Sequence, residues 1–417
     1  MRLMHMLHKI LPKALQSLWT DTALVFLLAV CASLSVGCTG RKAAPVEPAR
    51  RSAANAALAG FPADTWLALD RALELHVEQR REVPGAVLAI GRNGAVVYER
   101  AVGWRDEIAD AAEPMERATL FDVASLTKPV ATAAAAALLI CRGELTPETD
   151  VAGEPLDRVL RHGTGLPAYV DWHEVVRAGQ GLALDEALAK AIAQPARSAG
   201  GEHARARAST SPPGYSNVAY LFASLAIEQQ AGRPMGELLG EEFWRPIGME
   251  HTTFHPPRES WANVARTDKK LEPGRPYDPL ADFLVEQHPG HDPGHSGLFS
   301  TATDLTVFCQ ALLHPELSSL PEMPCIAEYL LGEEERTPRE QMGFAAAPGR
   351  TPAFERDRKA RGRAVYFHTG YTGCLMWLDV ESGTSVVLLT NSTWKDARAW
   401  ESLSSAILVE MARALKE

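Results

Sequence analysis

Apolar positions fall into distinct regimes along the chain. Ala23 to Gly37 is an uncharged, largely apolar run that ends at Cys38. Residues 39–62 are rich in Ala, Pro and Arg and have no apolar period, as expected of a tether. Regular spacing starts at residue 64. Leu67, Leu69, Leu73 and Val77 largely share one helical face, which predicts a helix capped by Asp64 and running to about Arg81. Pro84-Gly85 breaks it. Ala86–Ile90 and Ala95–Tyr98 flank Gly91-Arg-Asn-Gly94, a strand–turn–strand pattern with Asn-Gly as the hairpin signal. Residues from about 125 to 290 read as helix-rich. Strands return at Ala364–Phe367, Cys374–Asp379 and Ser385–Thr390, and a last helix spans Ala397–Leu415. The pattern predicts an α+β fold: one antiparallel sheet built from both chain ends, flanked by helices, with an inserted all-helical domain.

The amino terminus has the layout of an export signal. Arg2, Lys9 and Lys13 precede the apolar run, which is shorter than the ~20 residues a spanning helix needs. The exit Ser35-Val36-Gly37-Cys38 is similar to a bacterial lipobox, which makes Cys38 the expected lipidation site. Leu34 sits one place early for that motif and Asp21 is an unusual neighbour. An uncleaved anchor and a soluble exported form stay open as alternatives. The expected division is a signal peptide at 1–37, lipidated Cys38 and tether at 38–62, and a folded body at 63–417. Within the body the sheet part covers about 63–122 and 295–417 and the helical part about 123–294. The expected location is the bacterial cell envelope, on a membrane-anchored lipoprotein facing the periplasm or the cell surface.

Composition narrows the classes. With 46% hydrophobic and 23% charged residues the chain is neither disordered nor collagenous nor a coiled coil. Its net charge of −10 leaves no sequence-wide basic field for phosphate, which argues against a nucleic-acid partner. Six cysteines without a CxxC pair exclude a zinc ribbon or a disulfide-built scaffold. Cys309 and Cys325 are close enough in sequence to bridge in an oxidising compartment, with free buried thiols as the alternative.

Three short motifs carry chemistry. In Ser125-Leu-Thr-Lys128, a helical spacing of three puts both side chains on one face, so Lys128 can reach the Ser125 hydroxyl. A serine hydroxyl needs such a base to act as a nucleophile. Pro129 cannot donate to the Ser125 carbonyl, a loss that is smallest if Ser125 lies in the opening turn of its helix, near free N–H groups. Ser-x-x-Lys also arises by chance; Ser392-Thr-Trp-Lys395 is a second copy, placed in a turn. In Tyr215-Ser-Asn217 the phenol can relay a proton and the amide can orient the lysine or hold a substrate carbonyl. A buried tyrosine beside an Asn helix cap is the plainer alternative. In His368-Thr-Gly370-Tyr371, between two predicted strands, an edge strand can offer N–H groups to substrate. The Tyr371 N–H could pair with that of Ser125 as an oxyanion hole.

Taken together, Ser-x-x-Lys, Tyr-x-Asn and His-Thr-Gly, separated by 90 and 153 residues, resemble the serine β-lactamase and penicillin-binding protein superfamily on its class C-like branch. Phe121-Asp-Val-Ala-Ser-Leu-Thr-Lys128, His162-Gly-Thr-Gly-Leu-Pro167, Pro246-Ile-Gly-Met249, Gly297-Leu-Phe-Ser300 and Val387-Leu-Leu-Thr-Asn391 match in order, over roughly residues 64–415. The resemblance implies a β-lactamase/transpeptidase-like fold with the site at the junction of sheet and helices. It implies Ser125 as acylated nucleophile and Lys128 and Tyr215 as proton-transfer partners. Asn217 and the strand His368, Thr369, Gly370, Tyr371 are the implied substrate contacts. Many relatives carry lysine where His368 stands. Histidine is mostly neutral at pH 7, which weakens the case for carboxylated β-lactams. Esterase, D-amino-acid peptidase and amidase activity stay open.

His288-Pro-Gly-His291-Asp-Pro-Gly-His295, with His251 and His255 upstream, has the ligand types for zinc. No His-Glu-x-x-His is present, and Pro-Gly turns are hard to preorganise, so a solvated loop near the cleft is the expectation. No metal and no organic cofactor is assigned. No Gly-x-Ser-x-Gly occurs, which disfavours an α/β-hydrolase. The expected protein is an exported serine hydrolase acting on a small-molecule or peptidoglycan-derived substrate. The competing expectation is a catalytically silent peptidoglycan-binding lipoprotein on the same fold.

Overall fold

The structure, a computed structural model, describes residues 60–107, 112–170, 172–178, 182–193, 215–331, 365–394 and 399–416. The expected signal peptide, Cys38 and all but the end of the tether lie outside the described residues, as do Pro212-Pro-Gly214, Ala364, Lys395 and the predicted helix start at Ala397.

Helix α1 spans Ala63–Leu73 and continues as a π-helical turn over Glu74–Gln79. It starts one residue before Asp64, after Pro62, and has no side-chain cap; Asp64 instead lies in its first turn, where a carboxylate suits the helix dipole. Leu69, Leu73 and Val77 are buried, but Leu67 is 49% exposed and is not part of the packed face. Trp66 takes its place, stacked on Tyr98 with centroids 5.4 Å apart.

The hairpin is longer than predicted, with β1 at Gly85–Arg92 and β2 at Ala95–Asp106. Asn93 and Gly94 turn it with φ of 53° and 76°, the left-handed pair that matches strand twist. Short strands follow: β3 at Glu113–Pro114, β4 at Phe121–Asp122, β5 at Asp150–Val151, β6 at Glu154–Pro155 and β7 at Phe299–Ser300. The last three are β8 at Val365–Gly370, β9 at Cys374–Asp379 and β10 at Thr384–Thr390. The sheet order is β3-β2-β1-β10-β9-β8, all antiparallel, so the first long strand lies beside the last. This is the antiparallel sheet built from both chain ends. β4 and β7 form a separate two-stranded pair.

The central strands read as continuous apolar runs because both faces are covered. Ala86, Leu88 and Ile90 point into one core with α1 and with α11, Trp400–Ala414. Val87 and Ala89 point into the other, with α9, Ala302–Leu313, and the inserted helices. Those insertions are α2 at Ala134–Cys141, α3 at Leu156–Leu160, α4 at Trp172–Ala178, α5 at Leu184–Ala193, α6 at Asn217–Ala231, α7 at Met235–Leu239 and α8 at Pro279–Gln287. Helix α10, Met323–Leu331, packs on α2 and α9. The stretch Ala124–Cys141 is long and apolar enough to cross a membrane, yet it is the buried core helix, and its alanine run Ala133–Ala137 lets neighbours approach closely.

The cysteine pairing differs from expectation. Cys141, at the end of α2, is bridged to Cys325 on α10, while Cys309 is free and fully buried. Proximity in sequence misleads here. Cys309 faces the core from α9, whereas packing of α10 on α2 brings together two cysteines 184 residues apart. Burial raises the Cys309 thiol well above its usual range.

Candidate active site

The chain enters the site through β4. After Asp122, Val123 N–H donates to Leu298 O, and Ala124 takes a left-handed conformation with φ of 47°. For a residue with a Cβ that conformation costs about 1–2 kcal/mol. Asp122 Oδ1 accepts from Ala124 N–H at 2.8 Å, an Asx turn that holds it. Ser125 follows in the 3₁₀ turn Ala124–Leu126, and a π-helical turn at Lys128–Ala133 leads into α2. The opening turn is thus where Pro129 predicted Ser125 to be. Ser125 is half-buried and reachable, whereas Lys128 is fully buried.

Lys128 Nζ lies 3.2 Å from Ser125 Oγ and donates to the His295 carbonyl at 2.7 Å. It also sits over the Tyr215 ring, 4.9 Å from its centroid, and over Tyr220 at 5.5 Å. The structure therefore brings together hydroxyl, amine and phenol from positions up to 90 residues apart. Contact with two ring faces and the bond to His295 O hold the Lys128 nitrogen in its pocket.

The histidine-rich segment is solvated only in its first half: Pro289 and Gly290 are exposed, whereas residues 292–296 are buried. Thr132 Oγ donates to Gly294 O at 2.6 Å, and Gly294 N–H donates to Ser224 Oγ on α6. A Cβ at Gly294 would stand 2.3 Å from Tyr220 O, so only glycine fits. Asp292 Oδ2 accepts from Gly236 N–H at 2.7 Å. The imidazoles are spent separately, His255 on Asp292, His291 on Glu228 and His295 on Asp278. Among the described residues no group of three or more His, Cys, Asp or Glu is arranged to hold a metal. The segment instead presents the His295 carbonyl to Lys128.

Tyr215 precedes α6, and the helix cap is Ser216, not Asn217: Ser216 Oγ accepts from Ala219 N–H at 3.0 Å. Asn217 is the first helical residue; its N–H donates to Ala168 O, and its buried Oδ1 accepts no hydrogen bond. His162 packs on both tyrosine rings, 4.4 Å from Tyr215 and 5.0 Å from Tyr220. Its Nδ1 accepts from Ser216 N–H, which fixes a neutral tautomer with the proton on Nε2. Burial, then the charge of Lys128, pushes its pKa down to about 3.

The third motif lies within a strand, not between strands. β8 continues through Gly370 because its pairing with β9 runs on through His368↔Met376, Thr369↔Leu375 and Gly370↔Cys374. The turn is only Tyr371–Gly373, closed by Gly373 N–H to Gly370 O. His368 Nδ1 donates to Thr369 O at 3.0 Å, so its buried Nε2 is an acceptor, and it has no partner. Burial first, and Lys128 second, push its pKa down to about 3. Thr369 is half-exposed, and the Tyr371 ring stacks on Tyr277 with centroids 5.7 Å apart. β8 packs directly on the turn that carries Ser125.

Sequence reasoning gave no role to Asp122, His162 or Tyr277, and weighed His295 only as a metal ligand. Asp122 and His162 stand inside quoted motifs, and that was their only signal. Nothing in the sequence marks Tyr277, and the role of His295 runs through its backbone oxygen, which any residue could supply. The second Ser-x-x-Lys starts in a 3₁₀ turn after β10, as expected; Ser392 is buried, and its hydroxyl contacts Thr372 O.

A family model described as Beta-lactamase matches residues 71–403. An N-acetylmuramyl-L-alanine amidase of Bacillus subtilis (strain 168) is 24% identical over 355 residues, covering 74% of this chain and 77% of the relative. Esterase EstB of Burkholderia gladioli is 26% identical over 391 residues, covering 83% and 94%. Among solved structures, a beta-lactamase from Sulfitobacter sp. EE-36 superposes with a TM-score of 0.60 at 18% identity, covering 84% of this chain and 98% of that one.

Proposed function

The chain belongs to the beta-lactamase family, whose members include serine hydrolases, and on that premise we propose that it forms an acyl-enzyme on Ser125. The observation that carries this reading is the contact of buried Lys128 Nζ with Ser125 Oγ at 3.2 Å beneath the Tyr215 ring. A buried amine whose other bond goes to a carbonyl is placed to take a proton from that hydroxyl. Ser125 Oγ attacks an ester or amide carbonyl as its proton passes to the Lys128–Tyr215 pair. Backbone N–H groups of Ser125 and Tyr371 receive the oxyanion, and the phenol returns a proton to the leaving group. Water then releases the acyl group and regenerates the serine.

His368 argues for the substrate class. With its proton on Nδ1 and no charge at neutral pH, it offers a carboxylate neither a cation nor, at Nε2, a donor. Uncharged esters and peptidoglycan-derived amides therefore rank ahead of carboxylated β-lactams. The esterase and amidase names of two relatives support the same order.

Export and lipidation at Cys38, which place the body at the cell envelope, are part of the proposal. The pattern at residues 1–38 supports it, and so does the Cys141–Cys325 bridge, since such bonds persist in oxidising compartments. A Cys38→Ser variant found in the soluble rather than the membrane fraction is the expected result.

The deciding experiment compares wild type and Ser125→Ala on a nitrophenyl ester, a D-alanyl peptide and nitrocefin, with fluorophosphonate labelling located by mass spectrometry. An adduct on Ser125 and turnover lost in the variant are expected. Full turnover by Ser125→Ala would falsify the proposal.

A further inference from the structure

One residue ties together three walls of the cleft, two through its side chain and one through its backbone carbonyl. Asp122 is 1% exposed and ends β4, three residues before the nucleophile. Its Oδ1 accepts from Ala124 N–H at 2.8 Å and its Oδ2 from Tyr277 N–H at 2.6 Å. Its backbone carbonyl accepts from Thr372 Oγ at 2.7 Å. The first bond holds the turn that aims Ser125. The second fixes the loop whose Tyr277 ring stacks on Tyr371, and whose next residue, Asp278, bonds the imidazole of His295. The third fixes the turn directly after Tyr371.

We infer that Asp122 is a positioning residue for acylation, holding Ala124 in its left-handed conformation and Tyr277 against the strand end so that Ser125 Oγ stays in reach of Lys128. The inference rests on the acyl-enzyme reading of Ser125.

The chemistry calls for a carboxylate at this position. Two N–H donors arrive from opposite sides, and each needs an oxygen. An asparagine of the same shape has one oxygen and one NH₂, so one of the two N–H groups would meet another donor. If Ala124 is the side released, nothing offsets the crowding of its Cβ against its own backbone, and it relaxes toward negative φ. That rotation turns the peptide that joins Ala124 to Ser125. A displacement of about 1 Å at a reacting atom is enough for a loss of about 100-fold.

A glycine at position 124 meets no such crowding and keeps the left-handed turn with little help. The dependence on Asp122 should therefore shrink when Ala124 is replaced by glycine, which a merely structural role of Asp122 would not produce.

The test is a double-mutant cycle on the full-length protein, read as the second-order rate of fluorophosphonate labelling of Ser125. We expect Asp122→Asn to slow labelling about 10–100-fold in the wild-type background, and by less than a third of that factor in the Ala124→Gly background. Asp122→Asn labelling within about twofold of wild type, or equal losses in both backgrounds, would overturn the inference while leaving the acyl-enzyme reading intact. A wild-type protein that takes no label at Ser125 would overturn both. Should Asp122→Asn fail to accumulate folded, Ala124→Val probes the same turn, because a β-branched residue resists positive φ. A loss of about tenfold or more supports the inference, and labelling within about twofold of wild type overturns it.

Discussion

Gly370 lies so close to Val123 that a Cβ built on it would stand 2.4 Å from the Val123 carbonyl oxygen. The strand that carries His368 and Thr369 is therefore pressed on the backbone just ahead of Ser125. Gly370→Ala must push β8 away from that carbonyl. We expect kcat/KM on an ester to fall by about 100-fold or more and stability by about 1–3 kcal/mol. Steady-state kinetics and urea unfolding check this, and near-wild-type kinetics would mean that the close approach has no part in substrate handling.

Lys128 separates activity from stability. Its amine is fully buried, with bonds to Ser125 and His295 and two aromatic rings. An apolar chain of similar length removes the desolvation cost of that nitrogen and leaves one acceptor, the His295 carbonyl, without its donor. Lys128→Met should thus leave unfolding free energy within about 2 kcal/mol of wild type, or raise it. Ester turnover should drop by about 1,000-fold or more. Lys128→Arg should not restore activity, since a planar guanidinium does not reproduce a single compact nitrogen.

The two site imidazoles make stability acid-sensitive. His162 and His368 are pushed down to about 3 in the folded protein, while an unfolded histidine titrates near 6.5. Between those values the unfolded chain binds more protons. The stabilisation is fully present above about pH 6.5 and is lost as pH falls toward 3, by up to about 1.4 kcal/mol per pH unit for each imidazole. Urea unfolding at pH 7.5, 6 and 5 reads the slope. His162→Gln and His368→Gln should each flatten it, and a slope untouched by both would contradict the burial assigned to them.

The Cys141–Cys325 bridge should matter for stability and not for turnover. Thirteen residues separate Cys141 from Lys128 along the core helix, about 20 Å. The paired variant Cys141→Ser and Cys325→Ser should lose about 2–5 kcal/mol, as expected for a bond closing a long loop. Its kcat at 25 °C should stay within about twofold, because the serines are remote from the reacting atoms. A large loss of kcat with no loss of stability would refute this.

The sequence made the local parts of this molecule legible and left the remote ones dark. The spacing of Ser125 and Lys128 is a local helical property, and Pro129 placed the serine in the opening turn. Asn93-Gly94 marked its hairpin for the same reason. The limits of β8 depend on a partner strand, so the pattern of residues alone ends it at Phe367, three residues short. Leu67 fitted a helical period but not the packed face, which Trp66 occupies. The histidine-rich segment looked solvated because its composition is polar. Its second half is buried because Glu228 on α6 bonds His291, Asp278 at the start of α8 bonds His295, and its own Asp292 bonds His255. The bridge between Cys141 and Cys325 depended on which helices pack together, which no spacing reports.

Because Ala86 on β1 pairs with Thr390 on β10, the middle of the sheet is the last thing a growing chain can make. An emerging polypeptide holds its opening hairpin for some three hundred residues with one edge unmet, exposed to chaperones and proteases alike. A version truncated before β10 would lack the seam at its centre, and could not gain partial activity by folding from the front.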